Sequence, residues 1–164
     1  MIGLRGDRNR ICSIRVSWFH GILKDLRFGE FARLERKLSV RILEGRAPNG
    51  EGDTVVQDLL CYFPGEHVTV ECPVRMDDHT PFQRRVWTAV REIPYGETRT
   101  YGGISRTLGI PGAARAVGSA LGKNPWPIVI PCHRVVGSKG ALTGFAYGTG
   151  WKSALLELER GSLW

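Results

Sequence analysis

The chain has 164 residues, 42% of them hydrophobic and 24% charged, with 23 basic and 16 acidic side chains and a net charge of +7. A chain this long buries roughly two-thirds of its unfolded surface, so it builds a core as one large domain or two small ones, and the composition excludes a disordered chain. No apolar run approaches the ~20 residues of a membrane span; the basic N-terminus MIGLRGDRNR is followed by no apolar stretch, so no signal peptide is expected.

In chain order, residues 11–28 read as strands, with Ile14, Val16 and Trp18 alternating with polar positions and a turn at His20-Gly21. Residues 31–44 fit a helix through Phe31, Leu34 and Leu38, and a strand through Leu38, Val40 and Ile42; the end is read as strand. Arg46–Gly52 is a loop. Asp53 caps a helix running to Phe63, which Pro64-Gly65 ends. His67–Val74 is extended, and the domain boundary falls at Met76–His79.

The second half begins helical. Thr80-Pro81-Phe82-Gln83 is a capping box with Pro at the first helical position, and the helix runs to about Ile93. Thr100 opens a short helix from Tyr101 to Leu108. The turn Ile110-Pro111-Gly112 leads into a third helix, Gly112 to Leu121, built from small residues around Arg115. Short helix, tight turn and small-residue helix form a helix-turn-helix pattern; a small-residue helix packed on the core is the plainer reading. Three prolines then stiffen Asn124–Pro131. Val135 to Thr143 reads as a hairpin, and Thr149 or Gly150 begins the last helix.

Charge separates the halves. Residues 1–79 carry 12 basic and 12 acidic side chains, and residues 80–164 carry 11 and 4, so the whole excess lies in the second half. This asymmetry fits a nucleic-acid-binding module joined to a neutral partner domain. Cys12, Cys61, Cys72 and Cys132 match no zinc spacing, and free thiols are expected.

Cys132 stands beside His133. A free thiol is mostly protonated at neutral pH, and an imidazole that takes its proton creates the nucleophile. The imidazole needs a carboxylate to fix its tautomer, and the second half offers Glu92, Glu97, Glu157 and Glu159. On residue types alone, a catalytic Cys-His-Glu relay and a buried structural Cys both stand.

The run Pro131-Cys132-His133-Arg134-Val135, preceded by Asn124-Pro125 and Pro127–Ile130, resembles the O6-alkylguanine-DNA alkyltransferases, which repair DNA by direct reversal. Phe82-Gln83, Val86-Trp87, Ile93-Pro94-Tyr95-Gly96-Glu97-Thr98, Thr100-Tyr101-Gly102 and Ala114-Arg115-Ala116-Val117-Gly118 carry the same resemblance. It covers residues 80–160 nearly without gaps; residues 1–79 match loosely, mainly at Tyr62-Phe63-Pro64-Gly65.

The resemblance implies an α+β chain of two domains. Residues 1–76 would be a small β-sheet plus helix, ribonuclease-H-like. Residues 80–164 would be a mostly helical DNA-binding and catalytic domain with the helix-turn-helix. Cys132 would accept the alkyl group, His133 would deprotonate it through a water, Glu159 would orient His133, and Asn124 would hold the turn. Arg115 would enter the duplex from the minor groove, beside Ala114 and Gly118, with Tyr101, Thr100 and Arg134 also facing DNA. Tyr101 would press on the phosphate beside the flipped nucleotide. The carbonyls of Cys132 and Val135 and the amide of Ala146 would read the base, in a pocket shared with Pro127 and Phe145. Phe145 replaces a Tyr frequent in the family, and Ala146 replaces a Ser, so substrate preference is open.

The implied partner is double-stranded DNA containing O6-alkylguanine, with O4-alkylthymine as a further candidate. The implied protein is a monomer without metal, cofactor or membrane contact, cytoplasmic in a prokaryote or nuclear in a eukaryote. Two other classes compete. A non-catalytic lesion binder of this family carries Trp in place of the Cys. A Cys-His acyl hydrolase has no use for the Ala114–Gly118 helix.

Overall fold

The computed structural model describes residues 12–19, 22–28, 40–44 and 52–161. The expected turn at His20-Gly21, the helix-or-strand question over 31–39 and most of the expected loop at 46–51 lie outside the described residues.

Three strands form one sheet: β1 (Cys12–Phe19), β2 (Ile22–Phe28) and β3 (Val40–Glu44), in the order β2-β1-β3. β2 is antiparallel to β1, with an irregularity between Ser17 and Trp18, and β3 is parallel to it. Helix α1 spans Gly52–Tyr62, so Asp53 lies within its first turn rather than capping it, and the helix ends one residue before the Phe63 expected.

Helix α2 (Pro81–Arg91) starts where the capping box predicts: the Thr80 hydroxyl accepts from Gln83 N at 3.3 Å, and Gln83 Oε1 accepts from Thr80 N at 2.9 Å. Such a cap stabilises a helix by about 1 kcal/mol. α2 buries Val86, Trp87 and Val90. Strand β4 (Arg99–Thr100) precedes α3 (Tyr101–Thr107), whose first turn is capped by the Thr100 hydroxyl accepting from Gly103 N at 3.0 Å. A turn leads to α4 (Ala114–Leu121), and α5 (Thr149–Glu159) closes the described chain.

The expected hairpin over 135–143 is not formed. β5 (Val135–Val136) pairs in parallel with β4, Arg99 against Val135 and Thr100 against Val136, and Ser138–Gly140 is a 3₁₀ turn. Both valines are buried, and β4 supplies the backbone partner that a returning strand would have given.

One apolar cluster joins the two halves. Phe28 of β2 stacks on Trp151 of α5 with ring centroids 4.4 Å apart, and Leu26 N donates to Pro125 O at 2.8 Å. In the second half, Trp87 meets Trp126 edge to face at 5.6 Å and donates its indole N–H to Ala120 O at 3.0 Å. β2 thus braces the segment that leads from α4 to Cys132.

Candidate active site

The segment between α4 and Cys132 is fixed by Asn124, buried at 5% exposure. Its Oδ1 accepts from Trp126 N at 3.0 Å, and its Nδ2 donates to Ile130 O at 2.9 Å and to Cys132 Sγ at 3.3 Å. Ile130 N returns to Trp126 O at 2.8 Å. This tight path forces Ile128 to φ 75°, an uncommon conformation for a β-branched residue, held by burial of the whole apolar run. A 3₁₀ turn over Cys132–Arg134 then turns successive side chains in different directions.

His133 is fully buried, and its Nε2 lies 2.8 Å from Glu159 Oε1. Its Nδ1 has no hydrogen-bond partner among the described residues. Glu159 is the hub of the network. Tyr62 Oη donates to Oε1 at 2.6 Å, Arg134 donates to both oxygens at 2.9 Å, and Gly96 N donates to Oε2 at 3.1 Å. Gly96 sits at φ 76°, and a Cβ there would lie 3.2 Å from Glu159 O, so only glycine delivers this amide without strain.

Electrostatics follow the geometry. Burial pushes the Glu159 carboxyl up, but the hydrogen bonds and charges of His133 and Arg134 prevail and hold it well below the usual range. Burial lowers the His133 pKa against the pull of Glu159. Burial also raises the Cys132 thiol, opposed by the Asn124 hydrogen bond and by the charge of Lys152. Lys152 itself is buried on α5 and lowered to about 8 by that burial. It donates to Thr143 O at 2.9 Å and to Tyr101 Oη at 3.2 Å. Tyr101 Oη in turn donates to Thr143 O at 2.9 Å, so Lys152 and Tyr101 together hold the loop before Phe145.

Cys132 opens on a cavity of about 840 Å³. Thr100 and Tyr101 line it, Ala114, Arg115 and Gly118 of α4 form another side, and Phe145 and Ala146 a third. Gly118 faces the Tyr101 ring: a Cβ there would be 3.6 Å from the ring edge. Arg115 and Arg106, both exposed, border the opening.

Three expected site residues lie elsewhere. Arg134 is not on a DNA-facing surface: it is 6% exposed and spent on Glu159 and on Ile93 O at 2.7 Å. Val135 and Pro127 are buried and do not line the cavity, because β5 pairs with β4 and Pro127 bridges Ile130. Sequence reading missed Tyr62 and Lys152. Lys152 and Glu159 share a face of α5 with Leu155 and Leu156, and this charged pair on an apolar face was the available signal.

The site has known counterparts. Residues 81–161 match the model of the 6-O-methylguanine DNA methyltransferase DNA-binding domain. A methylated-DNA–protein-cysteine methyltransferase of Mycobacterium tuberculosis is 55% identical over 106 residues, 64% of this chain; the match spans 63% of that relative's length. One of Mycobacterium leprae is 50% identical over 113 residues, 68% of this chain and 67% of that one. A solved Mycobacterium tuberculosis OGT in complex with DNA superposes with a TM-score of 0.69 at 39% identity, covering 92% of this chain and 94% of that one. The chain belongs to the 6-O-methylguanine DNA methyltransferase family.

Proposed function

We propose that this protein repairs DNA by direct reversal, taking the alkyl group of O6-alkylguanine onto Cys132 in a single turnover. One observation carries the reading: Cys132 borders a cavity shared with the small-residue helix α4, and the adjacent His133 is locked by a buried carboxylate.

The alkylated oxygen lies within the duplex stack, so the nucleotide must be extruded at a cost of a few kcal/mol. α3, the turn and α4 act as the helix-turn-helix. Ala114 and Gly118 allow close approach in the minor groove, and Arg115 fills the space the base leaves. The exposed Arg106 and Arg115 supply sequence-independent attraction to phosphates. Thr100 and Tyr101 flank the flipped nucleotide. The Tyr101 hydroxyl is held by Lys152 and Thr143, which supports a positioning role.

His133 Nδ1 takes the Cys132 proton through a water, while Nε2 stays on Glu159. Asn124 donates to the sulfur and steadies the thiolate. The thiolate attacks the alkyl carbon as the carbon–O6 bond breaks. The bond's electron pair goes to the guanine, which regains a proton as it leaves. The thioether has no hydrolytic exit, so the protein is consumed. The backbone of Cys132 and Ala146, both on the cavity wall, reads the guanine edge, and Phe145 stacks on it without a hydroxyl to donate. O4-alkylthymine is a second substrate of the same pocket.

We read residues 1–76 as the scaffold domain and residues 80–164 as the acting domain of a monomer. The mixed sheet with one helix supports the ribonuclease-H-like assignment. Among the described residues no helix is long and apolar enough to cross a membrane, and the protein works where the DNA is. The test is intact mass after incubation with a duplex holding O6-methylguanine. One added methyl, mapped to Cys132, is expected; DNA binding without mass gain means a lesion binder instead.

A further inference from the structure

Tyr62 ends α1 in the first half of the chain and is fully buried. Its ring meets Phe63 and Tyr95 edge to face, with centroids 5.3 and 5.9 Å away. Its hydroxyl donates to Glu159 Oε1 at 2.6 Å and stands 3.4 Å from His133 Nε2. Tyr62 and His133 therefore share one carboxylate oxygen.

A donor on a carboxylate oxygen draws charge from it. Charge held by Tyr62 does not stabilise an imidazolium on His133. The position of Glu159 does not depend on Tyr62, because Arg134 grips both oxygens and Gly96 N holds Oε2. The dominant effect of the Tyr62 hydroxyl is then electrostatic, in a site that water does not screen.

We propose that Tyr62 is a positioning residue that restrains the nucleophile: by donating to Glu159 Oε1 it limits transfer of the Cys132 proton to His133, so the docked first half keeps the resting thiol in check. The proposal rests on the relay described under the proposed function. A protein consumed by one reaction gains from such restraint, since a stray electrophile would spend it. The other charged groups acting on the imidazole are Arg134, and Lys152 and Glu159 of α5, with Tyr95 reaching it through Glu159. All of them stay in place when the hydroxyl alone is removed.

The test compares the full chain with Tyr62→Phe, which keeps the ring packing. Two readouts need no DNA: the pH-dependent rate at which iodoacetamide modifies Cys132, located by peptide mapping, and the NMR titration of the His133 ring. Tyr62→Phe should raise the His133 pKa by roughly half to one unit and speed Cys132 modification near neutrality roughly three- to tenfold, one unit being tenfold. Site-specific 3-fluorotyrosine at position 62, a stronger donor that keeps the fold, should move both readouts the other way. An unmoved or lowered His133 titration in Tyr62→Phe, or slower modification of Cys132, overturns the proposal. Packing alone would change thermal stability and leave the titration where it is. Methyl transfer from a methylated duplex is measured on the wild-type protein in parallel. Its failure removes the repair reading while leaving both DNA-free readouts interpretable.

Discussion

Arg134 closes on Glu159 with two nitrogens, Nε to Oε2 and Nη2 to Oε1, each at 2.9 Å. Both side chains are nearly or fully withdrawn from solvent. Removing one partner of a buried pair leaves an uncompensated charge, which costs about 3–5 kcal/mol. Arg134→Ala should lose stability on that scale in denaturant titrations. The salt dependence of DNA binding should stay unchanged, because Arg134 neutralises Glu159 and no phosphate. A shallower salt slope would return Arg134 to the DNA face.

Acid should unfold the protein in two stages. Burial holds the folded-state pKa of His133 below its ordinary 6.5. As pH falls under 6.5, the unfolded chain gains a proton that the folded chain still refuses, so stability present above 6.5 is lost. Glu159, held below its ordinary 4.5, adds a second loss as pH falls past that value. Unfolding free energies measured across the acid range should show both steps, and His133→Gln should abolish the first. A profile flat between 6.5 and 4.5 in the wild-type protein would refute the buried neutral imidazole.

Lys152 places a positive charge whose field favours ionised Cys132. Lys152→Met keeps the length of the stem and removes the charge. Transfer at neutral pH should slow by about tenfold if the thiol rises by one unit, and raising the pH should restore the rate. A uniform loss at every pH would instead mean that Lys152 acts by holding Tyr101 and the Thr143 carbonyl.

These groups differ in how far the sequence displayed them. Cys132, His133 and Asn124 lie within one proline-stiffened segment, so a local pattern exposed them together. Residue types left four carboxylates of the second half open, and the family resemblance singled out Glu159 among them. Tyr62 comes from α1, far away in the chain, and only tertiary packing brings its hydroxyl to Glu159. The DNA-facing place given to Arg134 came with the family resemblance, and its burial against Glu159 is invisible in one dimension. The hairpin failed for a related reason. Two-residue strands leave almost no periodic signal, and the true partner of Val135-Val136 is Arg99-Thr100, well upstream.

Arg115 is exposed at the rim of the cavity, away from the Cys132–His133–Glu159 network. Its contribution should therefore fall on base extrusion. Arg115→Ala should slow repair of a methylated duplex by about tenfold or more, equivalent to at least ~1.4 kcal/mol of barrier. Reaction with free O6-benzylguanine, which needs no extrusion, should change little. Equal losses on both substrates would place Arg115 in folding or in the chemistry.

The spent protein should be less stable than the fresh one. Cys132 Sγ accepts a hydrogen bond from Asn124 Nδ2 at 3.3 Å, and the same amide ties Ile130 O at 2.9 Å, so sulfur and backbone share one clamp. An S-alkyl group adds a carbon at the sulfur that Asn124 Nδ2 approaches, and the crowding displaces that donor from an acceptor that is already weak. Losing the net worth of one such bond costs about 1 kcal/mol, which for a chain of this size lowers the melting point by roughly 2–4 °C. Size matters less than it would in a closed core, because Cys132 borders a cavity of about 840 Å³ that receives the added carbon. A methyl and a benzyl adduct should therefore lower the melting point by similar amounts. Melting curves before and after stoichiometric alkylation decide the point. A benzyl adduct far less stable than the methyl one would show that the cavity wall at Phe145 resists the larger group, and unchanged midpoints for both would show that Asn124 does not need its sulfur partner.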